Sequence, residues 1–167
     1  MADHVDHVLA QWAEQAPALD ASPMAVIGRI KRLAQIVEGE LRTTYNEHGL
    51  DAAAFDVLAT LRRSPPPHRL TPAELMRASM VTSGAITQRL DRLEGRGLVT
   101  RTRSQLDGRS FSVALTDEGL ALIDNAQIDN VGAQGRLLVG LTPAQRDRLA
   151  RDLRRLLESL GDTDQFR

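Results

Sequence analysis

Arginines are concentrated between residues 89 and 109, which makes this stretch the most chemically distinctive part of the chain. Six arginines and three acids there give a net charge of +3, whereas the whole 167-residue chain has a net charge of −1. A guanidinium is a planar, permanently charged donor that suits phosphate oxygens. The local excess of positive charge therefore predicts a nucleic-acid backbone as the partner of this stretch.

A helix over residues 82–95 would carry the first of these arginines. Apolar residues recur at helical spacing and define its core side, namely Ile86, Leu90 and Leu93. The residues near its start are small or polar, so the helix can enter a DNA major groove, where Gln88 can pair with adenine. Candidate DNA contacts on this helix are Ser83, Gly84, Thr87, Gln88, Arg89 and Arg92.

A shorter helix is predicted just before it. Thr71, Pro72 and Glu74 form the start of a capped helix, and the turn at 79–81 leads to Thr82, a typical first cap of the next one. Two short helices joined by such a turn constitute a helix-turn-helix.

A β-hairpin over residues 98–115 is predicted after the helix-turn-helix. Phe111, Val113 and Leu115 alternate with smaller residues, as in a half-buried strand. At its tip, Arg109 would enter a minor groove, and Asp107 would orient an arginine. Arg103 is a candidate phosphate contact.

Helices flank this unit on both sides. We expect an extra helix over 3–16 and a long helix over 22–48, with Ser22 as its cap. A leucine stripe marks the last helix, at Leu149, Leu153, Leu156, Leu157 and Leu160. The predicted fold is mainly α with a small β-hairpin wing. It is a winged helix-turn-helix over 51–116, between N-terminal helices in 1–50 and C-terminal dimerisation helices in 117–167.

Several classes of protein are disfavoured by the sequence. The chain has no cysteine, so disulfides and thiolate metal sites are excluded. A glycine-rich phosphate loop and an HExxH motif are both missing, and we expect neither an enzyme nor a bound metal or cofactor. There is no apolar run long enough to span a membrane and no basic, apolar leader at the N-terminus, which favours a cytoplasmic protein.

The chain resembles the MarR family of bacterial transcription regulators over residues 20–160. The resemblance is most specific from "LTPAEL" through "RLEGRGLVTR" to "DGRSFSVALTDEG". It implies a homodimer, held by its N- and C-terminal helices, that binds double-stranded operator DNA of pseudo-palindromic sequence, with repression as the expected mode. The leucine stripe independently favours a symmetric dimer, because one winged helix is too small to cover it.

The extra N-terminal helix is similar to that of the urate-responsive, PecS- and HucR-like branch of this family. The resemblance implies four ligand-binding residues, which are Trp12, Asp56, Arg63 and Arg101. Arg62, next to Arg63, is an alternative. A flat purine anion suits arginine donors, a tryptophan wall and a carboxylate acceptor for ring N–H groups. Urate or xanthine is therefore the expected effector.

Two other interpretations stay open. A MarR-type regulator could respond to phenolic or other lipophilic acids instead of purines. A winged helix can also be a dimerisation or protein-interaction module that does not bind DNA, and such a module would lack the steep salt dependence of phosphate binding. Taken singly, a tryptophan on an amphipathic helix is more often part of a core, and an Asp–Arg pair is more often a structural ion pair.

Overall fold

The computed structural model describes residues 2–79, 86–103 and 111–163. These residues form seven helices and three strands. In chain order the elements are α1 (His4–Gln15), α2 (Met24–Glu47), α3 (Ala52–Arg63), β1 (Arg69–Leu70), α4 (Pro72–Ala78), α5 (Ile86–Gly95), β2 (Val99–Arg103), β3 (Phe111–Leu115), α6 (Asp117–Leu137) and α7 (Pro143–Ser159). The predicted fold class, mainly helical with a small winged helix-turn-helix sheet, is confirmed.

Side-chain caps explain where several helices begin. Thr71 accepts a hydrogen bond from the backbone N–H of Glu74 while the Glu74 carboxylate accepts from that of Thr71, a complete capping box at the start of α4. The expected cap at Ser22 is wrong. Its backbone N–H donates to the carboxylate of Asp20 over 3.0 Å, and α2 begins after Pro23 with no side-chain cap.

The sheet has three antiparallel strands in the order β1-β3-β2. The predicted hairpin is β2 paired with β3, with Arg101 opposite Val113 and Arg103 opposite Phe111. Strand β1 was not predicted. It pairs Leu70 with Val113 and forms the edge of the sheet opposite β2.

The core lies between the helix-turn-helix and the sheet. Leucines from α3, α4 and α5 are almost wholly buried there, namely Leu58, Leu61, Leu75, Leu90 and Leu93. Val113 of β3 and Ile123 of α6 complete the cluster. This arrangement fixes which face of α5 points inward and leaves its other face at the surface.

Helix α6 begins against the base of the wing. The Thr116 hydroxyl donates to the Gly97 carbonyl over 2.7 Å and accepts from the Gly119 backbone N–H over 3.0 Å. A Cβ atom at Gly119 would lie 1.9 Å from the Leu98 carbonyl oxygen, so only glycine fits. The "LTDEG" motif is therefore the joint between wing and helix.

Helices α1, α2 and α7 bury few of their residues. Helix α1 packs on α2, where Val5 meets Gly28 and Arg29 binds both Asp3 and Asp6. Helix α7 contains no buried residue. Among the described residues, no helix is long and apolar enough to cross a membrane.

Candidate DNA-binding and effector sites

The surface of α5 carries the predicted base-contacting side chains. Leu90 and Leu93 are buried and Ile86 is half-buried, whereas Thr87 and Gln88 are exposed. The face predicted to meet DNA is thus the face that the core leaves free. Ser83 and Gly84 lie outside the described residues, and a role of any of these residues in base contact stays a prediction.

The arginines of α5 and the wing fall into two groups. The side chains of Arg89, Arg92 and Arg103 have no hydrogen bond or ion pair within the described part of the chain, which leaves them available to phosphates. Arg96 differs, because its guanidinium donates to the Gly49 carbonyl over 2.8 Å. It ties the end of the recognition helix to the turn after α2.

Arg101 is the most heavily engaged residue of the site. Its side chain is only 22% exposed, and its Nη2 lies 2.6 Å from the Asp91 carboxylate. Its Nε lies 3.5 Å from Glu94 Oε2, within ion-pair range but without hydrogen-bond geometry. A longer contact of 3.4 Å joins Nη2 to the Thr87 carbonyl, and the guanidinium carbon lies 5.2 Å from the centre of the Phe111 ring.

Asp91 and Glu94 are the residues that sequence reasoning missed. Neither acid was predicted to have a partner. The sequence offers only a partial signal: the two acids are three apart on one helix and an arginine lies in the next strand, but their pairing depends on how that strand packs on the helix. We call Arg101 together with Asp91 and Glu94 the Arg101 clamp.

The tip of the wing cannot be compared with the prediction in the same way. Asp107 and Arg109 lie outside the described residues, and insertion of Arg109 into a minor groove stays a prediction. Arg103, the last residue of β2, is exposed.

The four predicted ligand residues lie on three elements, α1, α3 and β2, and a common site for them stays a prediction. Trp12, on α1, is 41% exposed. Asp56, on α3, is near Tyr45, where burial first and then the charge of Asp56 raise the pKa of the phenol. Within the described residues, no hydrogen bond joins the Trp12 side chain to Arg63 or Arg101.

The two neighbouring arginines at the end of α3 have different partners. Arg62 binds Asp124 of α6 over 2.6 Å, and this hydrogen bond raises the pKa of its guanidinium. Arg63 donates instead to the Ala78 carbonyl at the C-terminus of α4. Arg63 is therefore directed toward the helix-turn-helix and Arg62 toward α6, and the choice of Arg63 as the ligand candidate stays a prediction.

A helix-turn-helix whose second helix has an exposed polar face, a wing with an exposed arginine at Arg103 and a helical frame are the features of a winged-helix DNA-binding protein. A sequence model of the MarR family matches residues 48–110. The chain is 34% identical to the HTH-type transcriptional regulator PecS of Dickeya dadantii, over 87% of each protein. It is 33% identical to the HTH-type transcriptional repressor Rv2887 of Mycobacterium tuberculosis, over 85% of this chain and 96% of that protein.

Solved structures agree with the sequence comparisons. Sco3205, a MarR family regulator from Streptomyces coelicolor in complex with DNA, superposes with a TM-score of 0.74 at 28% identity, covering 85% of this chain and 93% of that one. A mutant MarR from E. coli complexed with operator DNA gives 0.68 at 28% identity, covering 87% and 97%. The chain belongs to the MarR family and is a DNA-binding transcriptional regulator.

Proposed function

We propose that this protein is a homodimeric repressor that leaves a pseudo-palindromic operator when it binds urate or a related purine such as xanthine. The observation that carries the proposal is the position of Arg101. One guanidinium, largely buried, contacts the recognition helix at Thr87, Asp91 and Glu94. An anion that binds Arg101 would withdraw it from α5, the helix predicted to contact DNA, and so would favour a state with lower DNA affinity.

The dimer is supported by apolar side chains that the single chain leaves uncovered. Leu149, Leu153 and Leu157 recur every four residues along α7 and are each at least 40% exposed. Leu33 and Ile36 of α2 are half exposed as well. A soluble chain rarely exposes such stripes, and a second copy related by two-fold symmetry would cover them. Such a dimer would present two recognition helices to an operator with two half-sites.

The purine is supported by the chemistry of the ligand candidates. Trp12 offers an aromatic face that no core covers, and the Arg29 contacts with Asp3 and Asp6 hold its helix on α2. Arginine and carboxylate groups complement the carbonyl oxygens and N–H groups of an oxidised purine. The similarity to PecS agrees with the resemblance that suggested the purine, and the relative named as a repressor supports repression as the mode.

A mobility shift on the intergenic DNA upstream of the protein's own gene tests the function. We expect binding that weakens steeply with salt and is reversed by urate or xanthine but not by adenine. Saturating urate should also quench the fluorescence of Trp12, the single tryptophan of the chain. If no purine releases the DNA or changes the fluorescence, the effector assignment is wrong. If DNA binding is absent or insensitive to salt, the winged helix is better explained as a dimerisation or protein-interaction module.

A lipophilic acid is the second candidate effector, and one feature favours it. A cavity of about 310 Å³ lies between α1 and α2, lined by the apolar Val5, Leu33 and Ile36 together with Arg32. Apolar walls beside a cation suit an aromatic or aliphatic carboxylate. Adding salicylate and a medium-chain fatty acid to the same mobility-shift panel separates the candidates, because release by these acids and not by purines would select the lipophilic class.

A further inference from the structure

The two acids of the Arg101 clamp stand on the helix that is expected to approach DNA phosphates. Asp91 and Glu94 have side chains that are 56% and 41% exposed, on the same helix as Arg89 and Arg92. A carboxylate near a phosphate backbone is repelled, and therefore acids at these two positions need a role other than DNA contact.

We propose that Asp91 and Glu94 are positioning residues that act through Arg101. They fix the orientation of the wing on the recognition helix, and they retain Arg101 against an anionic effector. The second part rests on the proposed function, whereas the first part concerns DNA binding alone. Neither acid would touch the bases or the effector.

The contacts of the clamp join the helix to both strands of the wing. Asp91 and Glu94 lie one turn apart on α5, and both reach the single guanidinium on β2. Glu94 Oε1 also accepts a hydrogen bond of 3.2 Å from the backbone N–H of Arg101, so it holds the strand as well as the side chain. Phe111 of β3 covers the guanidinium. Sliding or rotating the wing on the helix would break these contacts together.

The sign of the effect on DNA binding distinguishes positioning from simple electrostatics. If the acids act only as charges, neutralising either one removes repulsion from phosphates and strengthens binding. If they position the wing, the same change weakens binding although the protein becomes more positive. Because the pairs are partly exposed, the expected loss is moderate, about fivefold in operator affinity for each single variant.

The clamp also sets how readily an anion can bind Arg101. The Nη2 group already binds Asp91, so an effector must displace that carboxylate. Weakening the clamp lowers the free energy needed to free Arg101, and the effector should then act at lower concentration. A variant with a weaker clamp is thus expected to bind DNA less tightly and to respond to urate more sensitively.

Asp91→Asn and Glu94→Gln in the full-length protein test the proposal, with Glu38→Gln as the matched control on exposed α2. Operator affinity is measured by fluorescence anisotropy and wing contact by hydroxyl-radical footprinting. We expect each variant to lose affinity, with weaker protection of the minor grooves flanking the half-sites and a lower urate midpoint. The control should match the parent. Unchanged or stronger DNA binding by both variants would overturn the positioning role.

A charge exchange separates a specific pair from general damage. Arg101→Asp should weaken operator binding, and adding Asp91→Arg to it should restore part of the affinity and the flanking protection. No recovery would count against direct positioning through this pair. If the parent protein ignores every purine, the proposed function and the competition for Arg101 both fail, and the anisotropy and footprinting results still decide the positioning role.

Discussion

The winged-helix lobe, from α3 to β3, and the terminal helices, α1, α2 and α7, are stabilised in contrasting ways. The lobe buries its leucines almost completely and contains most of the apolar core. Helix α7 buries nothing, and the only wholly buried residue of the 24-residue α2 is Thr44. The lobe has a core of its own, whereas the terminal helices need another surface to cover them.

The same contrast is found at smaller scale among the arginines of the lobe. Arg96 and Arg101 are engaged with protein groups, and Arg89, Arg92 and Arg103 have no partner within the part of the chain that the structure describes. An arginine that lies on or near α5 is therefore not necessarily available to contact DNA. The engaged arginines hold the lobe in shape, and the free ones are the candidates for phosphates.

The largest expected effect on operator affinity comes from placing a polar residue in the exposed apolar stripe of α7. Leu153→Ser places a hydroxyl in the centre of the exposed α7 stripe and should convert the proposed dimer to a monomer. Operator affinity should then fall about a hundredfold, because the two half-sites would bind independently. Sedimentation velocity gives the mass, and anisotropy gives the affinity.

Arg151→Ser is the matched control for that variant, since it changes an exposed residue of the same helix outside the leucine stripe. It should remain dimeric. If Leu153→Ser is also dimeric and binds the operator normally, the terminal helices are covered in some other way, and the contrast between lobe and helices loses its functional meaning.

The next effect concerns the wing. Arg109→Ala should weaken operator binding at least about tenfold, because a guanidinium in a narrow minor groove is strongly attracted by the local potential. The melting temperature should not change, since this arginine is predicted to act by contacting DNA. Unchanged affinity would exclude wing insertion.

A smaller effect distinguishes the free arginines from the engaged ones. Arg92→Ala should lower the slope of log affinity against log salt by about one, as expected for one lost phosphate contact. Arg96→Ala, one turn later, should keep the slope and lower the melting temperature, because the Gly49 carbonyl loses its donor. Equal changes in slope for the two variants would contradict the division of the arginines.

Much of the fold followed from local sequence patterns. The capping box at Thr71, the alternation in "FSVAL" and the helical spacing of Ile86, Leu90 and Leu93 all report on neighbours within a few residues, and each predicted its element. The start of α2 was misjudged because Pro23, which already has helical backbone angles, occupies the cap position, and no side chain caps the helix there.

Contacts between distant segments were harder to predict. Strand β1 has only two residues, too few for any alternation, and it exists because β3 offers a free edge. The partners of Arg96 and Arg101 depend on how α5 lies against the α2–α3 turn and the wing, which no local pattern specifies. The same limit applies to the four ligand candidates, whose common site stays a prediction.

One titration tests the central claim most directly. The dimer is bound to fluorescently labelled operator, and urate is added while the anisotropy of the DNA and the fluorescence of Trp12 are followed in the same sample. The account predicts that the DNA is released and the tryptophan quenched over one range of urate concentration, and that Arg101→Ala abolishes the urate-dependent release. DNA that stays bound at saturating urate, with unchanged Trp12 fluorescence, would contradict it.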